Sequence, residues 1–356
     1  MPGVSLWLTS GMSDSVRSAE GAAPRGRECT GERETMKFGM LLPHFGEYCA
    51  PERLIEGSRK LEEWGYDSIW VRDHLLWHPH GMEGTNQTFV DAFITLAAVA
   101  GATRRITLGT AVLIPIRWPI KVAQNFASLS YISQRQVEAG FGMGANPAEF
   151  AGAGFRVEDR EQIFVETLQI CQRIWAENDV TWHGEKFHFE DVTIEPKPIG
   201  PILTWYGGST IASVRRAVRY CDGWLPGRLP MATLDQRLDV LRRLNEEEGR
   251  QCRAGVIPVV CVDHNRQRAL KRIDVAALST SSEGSTRWIK PPSGEWRTVE
   301  DLRGLLVFGT PDECVEQIKE FEARGVELFM FDLRLQFDEY LEAAELIGRE
   351  VLPHCR

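Results

Sequence analysis

The stretch RITLGTAVLIPIRWPIKVAQNFASLSYISQRQVEAGFGMG, residues 105–144, contains three pieces in succession. RITLGTAVLI (105–114) and QVEAGFGMG (136–144) are near-continuous apolar runs of strand length, and PIKVAQNFASLSYIS (119–133) between them has helical spacing. Two strands joined through a helix, with no hairpin turn, form the unit of a parallel sheet. Their apolar character is continuous rather than alternating, as expected of strands covered on both faces.

The same unit recurs on either side. KFGMLL (37–42) is strand one, followed by the helix PERLIEGSRKLEEWG (51–65) with Gly65 as its C-cap. SIWV (68–71) is strand two, followed by the helix FVDAFITLAAVAGAT (89–103). Strands three and four are those quoted first, and REQIFVETLQICQRIWAE (160–177) is the helix after them. ILTWYGG (202–208) and DGWLPG (222–227) are strands five and six, each followed by a helix. AGVIPVVCVD (254–263) reads as strand seven and VELFMFDL (326–333) as strand eight, with a helix at 311–325 and a last one at 337–353. Strand then helix, eight times, predicts a (β/α)8 barrel of the α/β class. A doubly wound open sheet is the rival, but PHFGEY after strand one lacks the G-x-G-x-x-G of a dinucleotide site.

Two insertions interrupt the pattern. VTWHGEKFHFEDVTIEPKPIGP (180–201) alternates apolar and polar residues and predicts a small β-ribbon before strand five. Residues 265–306 include the polar STSSEGSTRWIKPPSGEWR (279–297) and predict a lid-like excursion before strand eight, with Arg287, Lys290 and Arg297 open to an anion or to solvent. Residues 1–35 are small, polar and Gly/Ser/Arg/Glu-rich. They read as a disordered extension, or as sequence upstream of a chain starting at Met36, with one barrel domain over 36–356.

Bulk properties exclude several classes. A net charge of −9 with no basic run argues against a nucleic-acid partner. No apolar run approaches the roughly 18 residues of a membrane span, so no membrane role is expected. The 8 cysteines never form C-x-x-C, which fits a reducing cytoplasm and buried thiols such as Cys171, Cys221, Cys261 and Cys314.

Barrel chemistry is built at the C-terminal ends of the strands. Strand one ends at His44 and Phe45, strand two at Asp73 and His74, strand three in GTAVLIP, strand four in GFGMGANPAEF and strand five in WYGGST. Mixed apolar, aromatic and glycine material with few charges suits a flat ring. Gly207, Gly208, Ser209 and Thr210 precede a helix, where backbone N–H groups and hydroxyls suit either a phosphate or a plain helix cap. Gly144 and Asn146 offer close backbone approach and a polar side chain after strand four. The histidines of DHLLWHPHG (73–81) invite a metal, but strand one supplies only His44 and the later strand ends carry no His or Glu cluster, so no metal is expected.

Together these segments resemble the bacterial-luciferase-like flavin and deazaflavin oxidoreductases. The resemblance is carried by GYDSIWVRDHLL, by the strand-three stretch with its helix, by the segment from VTWHGEKFHFEDVTIEPKPIGP through DGWLP, and by FGTPDECVEQIKEFEARGVELFMFD. It implies a (β/α)8 barrel binding reduced FMN or coenzyme F420, with Asp73 and His74 beside the ring and Gly207, Gly208, Ser209 and Thr210 at the phosphate. It implies a non-proline cis peptide at Ala111–Val112 beneath the ring, and a homodimer. Two departures stand out. SQRQ replaces the family's Ser/Gly-Gly-Arg turn, read as a surface change, and the glutamate that deazaflavin-dependent sugar phosphate dehydrogenases place near Ala145 is missing, which argues against that particular chemistry.

The expected activity is monooxygenation of a small organic molecule, with reduced FMN delivered by a separate flavin reductase. Trp77, Trp118, Trp205 and Phe45 would exclude water, His74 or His44 would act as acid/base, and Asp73 would orient His74. The alternative is hydride transfer with F420. A cofactor-free binding barrel, for which Asp73, His74, Gly207 and Gly208 would be dispensable, and a metal-dependent hydrolase, which would carry stoichiometric zinc, are remoter.

Overall fold

The computed structural model describes residues 35–77, 85–280 and 287–356. The expected extension lies outside the described residues but for Thr35, as do His78, His80 and residues 281–286 of the polar insertion.

Eight strands close a ring: β1 (Lys37–Leu41), β2 (Ser68–Val71), β3 (Thr107–Leu113), β4 (Val137–Gly142), β7 (Leu203–Gly207), β8 (Gly223–Leu225), β9 (Arg253–Val256) and β12 (Leu328–Phe331). Their order is β1-β12-β9-β8-β7-β4-β3-β2, and every neighbouring pair is parallel. The predicted barrel is therefore present, with β5 (Val180–His183) and β6 (His188–Val192) forming the antiparallel ribbon of the first insertion. Helices pack outside it: α1 (Gly57–Glu63), α2 (Ala92–Ala102), α3 (Pro119–Ser133), α4 (Pro147–Gly152), α5 (Arg160–Ala176), α6 (Ile211–Tyr220), α7 (Met231–Glu248), α8 (Arg266–Lys271), α9 (Val275–Thr280), α10 (Pro311–Ala323) and α11 (Tyr340–Leu346). Among the described residues no helix is long and apolar enough to cross a membrane.

The barrel interior is filled by side chains, with Leu41, Trp70, Ala111, Trp205, Leu225, Ile257, Leu328 and Met330 forming one cluster. The two indoles fit because small residues face them. Gly39 and Gly109 lie against Trp70, and Gly223 lies against Trp205, where any Cβ would collide with the ring. Trp205 was expected at the mouth. Successive strand residues point to opposite sides, and in β7 the inward place falls to Trp205, whose Nε1 donates to Glu138 Oε2 at 2.6 Å near the N-terminal ends of the strands.

Two other expectations change. Strand seven is two strands: β9 belongs to the ring, and β10 (Val259–Val262) pairs instead with β11 (Leu306–Gly309), an element missed at the end of the insertion. Pro258 separates them because it has no N–H to continue a ladder. The SQRQ turn is only partly surface. Gln134 is exposed and ends α3 in the left-handed region (φ 54°), whereas Arg135 is buried and donates to Thr103 Oγ1 at 2.9 Å and to the carbonyls of Ala100 at 2.9 Å and Ile106 at 3.1 Å. Arg135 thereby satisfies carbonyls where α2 ends, which water would otherwise have to reach.

Candidate active site

A cavity of about 340 Å³ opens at the C-terminal ends of the barrel strands. Of the residues singled out in the sequence, Asp73, His74, Ala111, Val112, Gly144, Gly207 and Gly208 line it. His44, Asn146, Ser209 and Thr210 do not.

One wall comes from β3, β4 and β7. The Ala111–Val112 peptide is cis, as the resemblance implied, and the β3–β4 register shifts between Thr110 and Leu113. The bulge turns Val112 toward the neighbouring strands. A Cβ on Gly142 would lie 2.5 Å from Val112 Cγ2, and one on Gly207 would lie 2.7 Å from Cγ1, so the isopropyl group occupies space that only glycine leaves. Gly144 (φ 70°) then turns the chain away, where a side chain would meet Ile114 and Phe150. The result is a flat wall of backbone and small side chains. Its shape fits a planar ring, and Gly207–Gly208 ahead of α6 expose backbone for an anionic tail.

Asp73 and His74 leave β2 in different directions. Asp73 is 2 % exposed; its Oδ1 accepts from Arg117 Nη2 at 2.7 Å, and its Oδ2 accepts from Arg117 Nη1 at 2.5 Å and from the Ile114 N–H at 3.2 Å. Burial raises its pKa, with Arg117 opposing. Arg117 and Ile114 both belong to the segment after β3, so Asp73 fastens the bulge rather than orienting His74. That second task falls to Glu149 on α4. His74 Nδ1 lies 3.1 and 3.2 Å from the two carboxylate oxygens of Glu149, which also accepts the Leu75 N–H at 2.8 Å. Burial acts to raise the Glu149 pKa, but His74 and the amides of Leu75 and Leu76 outweigh it and lower the value. A carboxylate there requires the proton on Nδ1 and so places the imidazole lone pair on Nε2.

Glu149 escaped the sequence reading although a signal existed. Asn146-Pro147-Ala148-Glu149 has the spacing of an N-cap followed by an acid at N3, which announces a helix. In the structure Asn146 caps α4, accepting the Ala148 N–H at 3.0 Å. Thr210 likewise caps α6, accepting the Ser213 N–H at 3.0 Å in a reciprocal pair with Ser213, and the Ser209 carbonyl accepts from Arg237 at 3.3 Å. His44 is fully buried, with Nε2 2.9 Å from the Arg72 carbonyl and Nδ1 3.2 Å from that of Leu42. Burial pushes its pKa down to about 4 despite those carbonyls, so it is a neutral structural link between β1 and β2 in this geometry. The expected aromatic mouth is not assembled either. Trp77 does not line the cavity, Trp118 packs edge-on to Phe187, and Phe45 packs with Phe89 and Phe337.

The opposite wall is charged, which the sequence reading did not foresee. Arg72, Arg228, Asp332 and Arg334 all line the cavity. Asp332 is 1 % exposed; its Oδ2 accepts from Arg72 Nη2 at 2.9 Å and from Arg334 Nε at 2.7 Å and Nη2 at 2.6 Å. Burial would raise its pKa, but Arg334 and Arg72 hold it down at about 2. Among the described residues no group of three or more His, Cys, Asp or Glu could hold a metal ion.

Comparison with known proteins gives these features a setting. The family described as "Luciferase-like monooxygenase" matches residues 36–328. An F420-dependent glucose-6-phosphate dehydrogenase of Nakamurella multipartita is 27 % identical over 326 residues, covering 87 % of this chain and 94 % of that protein. One from Amycolatopsis mediterranei is 26 % identical over 306 residues, covering 80 % and 89 %. Among solved structures, the monooxygenase RslO1 of Streptomyces bottropensis superposes with a TM-score of 0.72 at 22 % identity, covering 90 % of this chain and all of that one. An F420-dependent secondary alcohol dehydrogenase bound to an F420–acetone adduct gives 0.74 at 20 % identity, covering 90 % and 99 %. These two show a shared fold.

Proposed function

Because the chain belongs to the luciferase-like monooxygenase family, we propose that it is an oxidoreductase transferring hydride between a small organic substrate and the deazaflavin F420. The observation that carries this reading is the cavity itself. One wall is flat, built of the cis Ala111–Val112 peptide over Gly142 and Gly207, and His74, set by Glu149, lines the same space. F420 supplies, when bound, the ring carbon that gives or takes hydride. The protein's own residues do the rest. Val112 and Ala111 support the ring face, and the Gly207–Gly208 backbone ahead of α6 receives the phosphate. His74 Nε2 takes the proton released from a substrate hydroxyl, while Glu149 keeps the imidazole in the tautomer that task needs.

Oxygenation with reduced FMN from a separate reductase is the second reading, favoured by the family's description. It ranks lower because the aromatic, water-excluding mouth it needs is not formed by Trp77, Trp118, Trp205 and Phe45. The relatives in sequence named above are F420-dependent. Fluorescence titration of the protein with F420 and, without oxygen, with reduced FMN separates the two. Micromolar binding of F420 and anaerobic reduction of it by a substrate alcohol are expected. Binding of FMN alone would transfer the argument to the second reading, and binding of neither would end both.

A further inference from the structure

The ring order divides the cavity lining in two. β3, β4 and β7 are consecutive and contribute Ala111, Val112, Gly142, Gly144, Gly207 and Gly208, a half without a charged side chain. β2, β1, β12, β9 and β8 complete the circle. From that side come Arg72 directly after β2, Asp332 and Arg334 after β12, and Arg228 after β8. Among the described lining residues the charged half holds three guanidiniums to one carboxylate. The other lining carboxylate, Asp73, is engaged in a two-point contact with Arg117.

A cluster that served folding alone has little reason to take this form. Charges lining a recessed cavity cost solvation, and ion pairs that only stabilise a fold contribute little net. Here the pairs fix direction. Asp332 Oδ2 draws Arg72 and Arg334, from strand ends on either side of β1, toward a single point, and the Arg72 guanidinium also lies 4.8 Å from the Phe45 ring centroid. Arg228 is near enough to act on the charge of Asp332. Planar guanidiniums held at fixed angles suit the oxygens of a carboxylate or phosphate group.

We propose that this half of the cavity is the substrate's anion subsite, in which Arg72 and Arg334, preorganised on Asp332, act together with Arg228 to bind a carboxylate or phosphate group of the substrate. The rest of the substrate then extends toward His74 and the glycine wall. This rests on the functional reading above, which supplies the occupant of that wall. The substrate class is thus a small hydroxy or carbonyl compound bearing an oxyanion.

The test is calorimetric titration of the full chain with inorganic phosphate and, separately, with acetate, each against sodium chloride at equal ionic strength. Saturable binding of at least one oxyanion is expected, weakened about tenfold or more in Arg228→Met and Arg334→Met, with the tighter probe identifying the head group. Arg334→Met removes a partner of buried Asp332, so a thermal melt accompanies it. Arg228→Met leaves the ion pairs of Asp332 with Arg72 and Arg334 in place and decides the matter by itself if the other variant fails to fold. Heats equal to those of chloride, or an affinity unchanged in Arg228→Met, overturn the subsite. F420 titration of the same proteins keeps the two claims apart. F420 binding without an oxyanion site removes the subsite alone, and an oxyanion site without F420 binding removes the functional reading alone. A fall in F420 affinity in Arg228→Met with phosphate affinity unaltered assigns the cluster to the cofactor and overturns the subsite.

Discussion

Glu149 sits in the first turn of α4, and its carboxylate serves two elements at once. It accepts the amides of Leu75 and Leu76, fixing the chain beyond β2, and it fixes the proton on His74 Nδ1. Glu149→Gln replaces one acceptor oxygen by a donor and allows the ring to turn or change tautomer. We expect kcat to fall by about a hundredfold, within the range a positioned acid–base group contributes, with KM little changed and partial recovery in Glu149→Asp. Equal kcat in wild type and Glu149→Gln would remove Glu149 from the positioning role. Thr210 allows a different separation. Because its hydroxyl caps α6, Thr210→Ala should cost about 1 kcal/mol in a urea unfolding experiment, whether or not cofactor affinity changes. Asp73 and His74 were legible by counting strands to the end of β2. Glu149, Arg72 and Arg334 were not, because a charged residue beside a strand reads as solvated until the ring closes and brings separate strand ends together.

The three-strand wall of β3, β4 and β7 is a packing device in which one valine depends on two absent side chains. Gly207→Ala puts a methyl 2.7 Å from Val112 Cγ1 and 3.0 Å from Cγ2, so either Val112 or the bulge must shift. Cofactor affinity should fall about tenfold or more, and Val112→Ala in the same chain should restore part of it. Fluorescence titration of the single and double variants checks this, and independent effects of the two changes would contradict it. The eight ring strands were legible because parallel strands are continuous apolar runs. Their limits were less so. AGVIPVVCVD is apolar up to Asp263, yet Pro258 divides it into a ring strand and a strand of a separate sheet, and β11 is only four residues long, at the end of a mixed, irregular segment. The short helix α4 lies within GFGMGANPAEF, which reads as the end of a strand, although it carries the group that sets His74.

Across the whole molecule two groups, half-buried Glu138 and buried His44, titrate in opposite senses. Glu138, in a small cavity at the N-terminal ends of the strands, is raised by burial from 4.5 to about 7, with its Trp205 hydrogen bond and Arg253 opposing. The folded protein therefore keeps a proton that the unfolded chain releases, and stability falls as pH rises from 4.5 to 7. His44 is lowered by burial from 6.5 to about 4, so the unfolded chain takes up a proton that the folded one refuses, and stability falls as pH drops from 6.5 to 4. The two slopes offset each other in the wild type. Thermal melts between pH 4.5 and 6.5 should show Glu138→Gln losing stability on acidification, and His44→Gln gaining it. Parallel curves for the three proteins would contradict both assignments. We propose that the chain forms the homodimer the resemblance implies, and sedimentation equilibrium at micromolar concentration checks it.

The small ladder of β10 and β11 has a use beyond architecture. Val259 pairs with Leu306 and Val262 with Gly309, so residues 263–305 leave and rejoin the protein along one hydrogen-bonded seam that is not part of the ring. A segment anchored in that way can be cut out and replaced as a cassette, grafted from a relative at the same two strands, while the ring's own strand pairing stays unchanged.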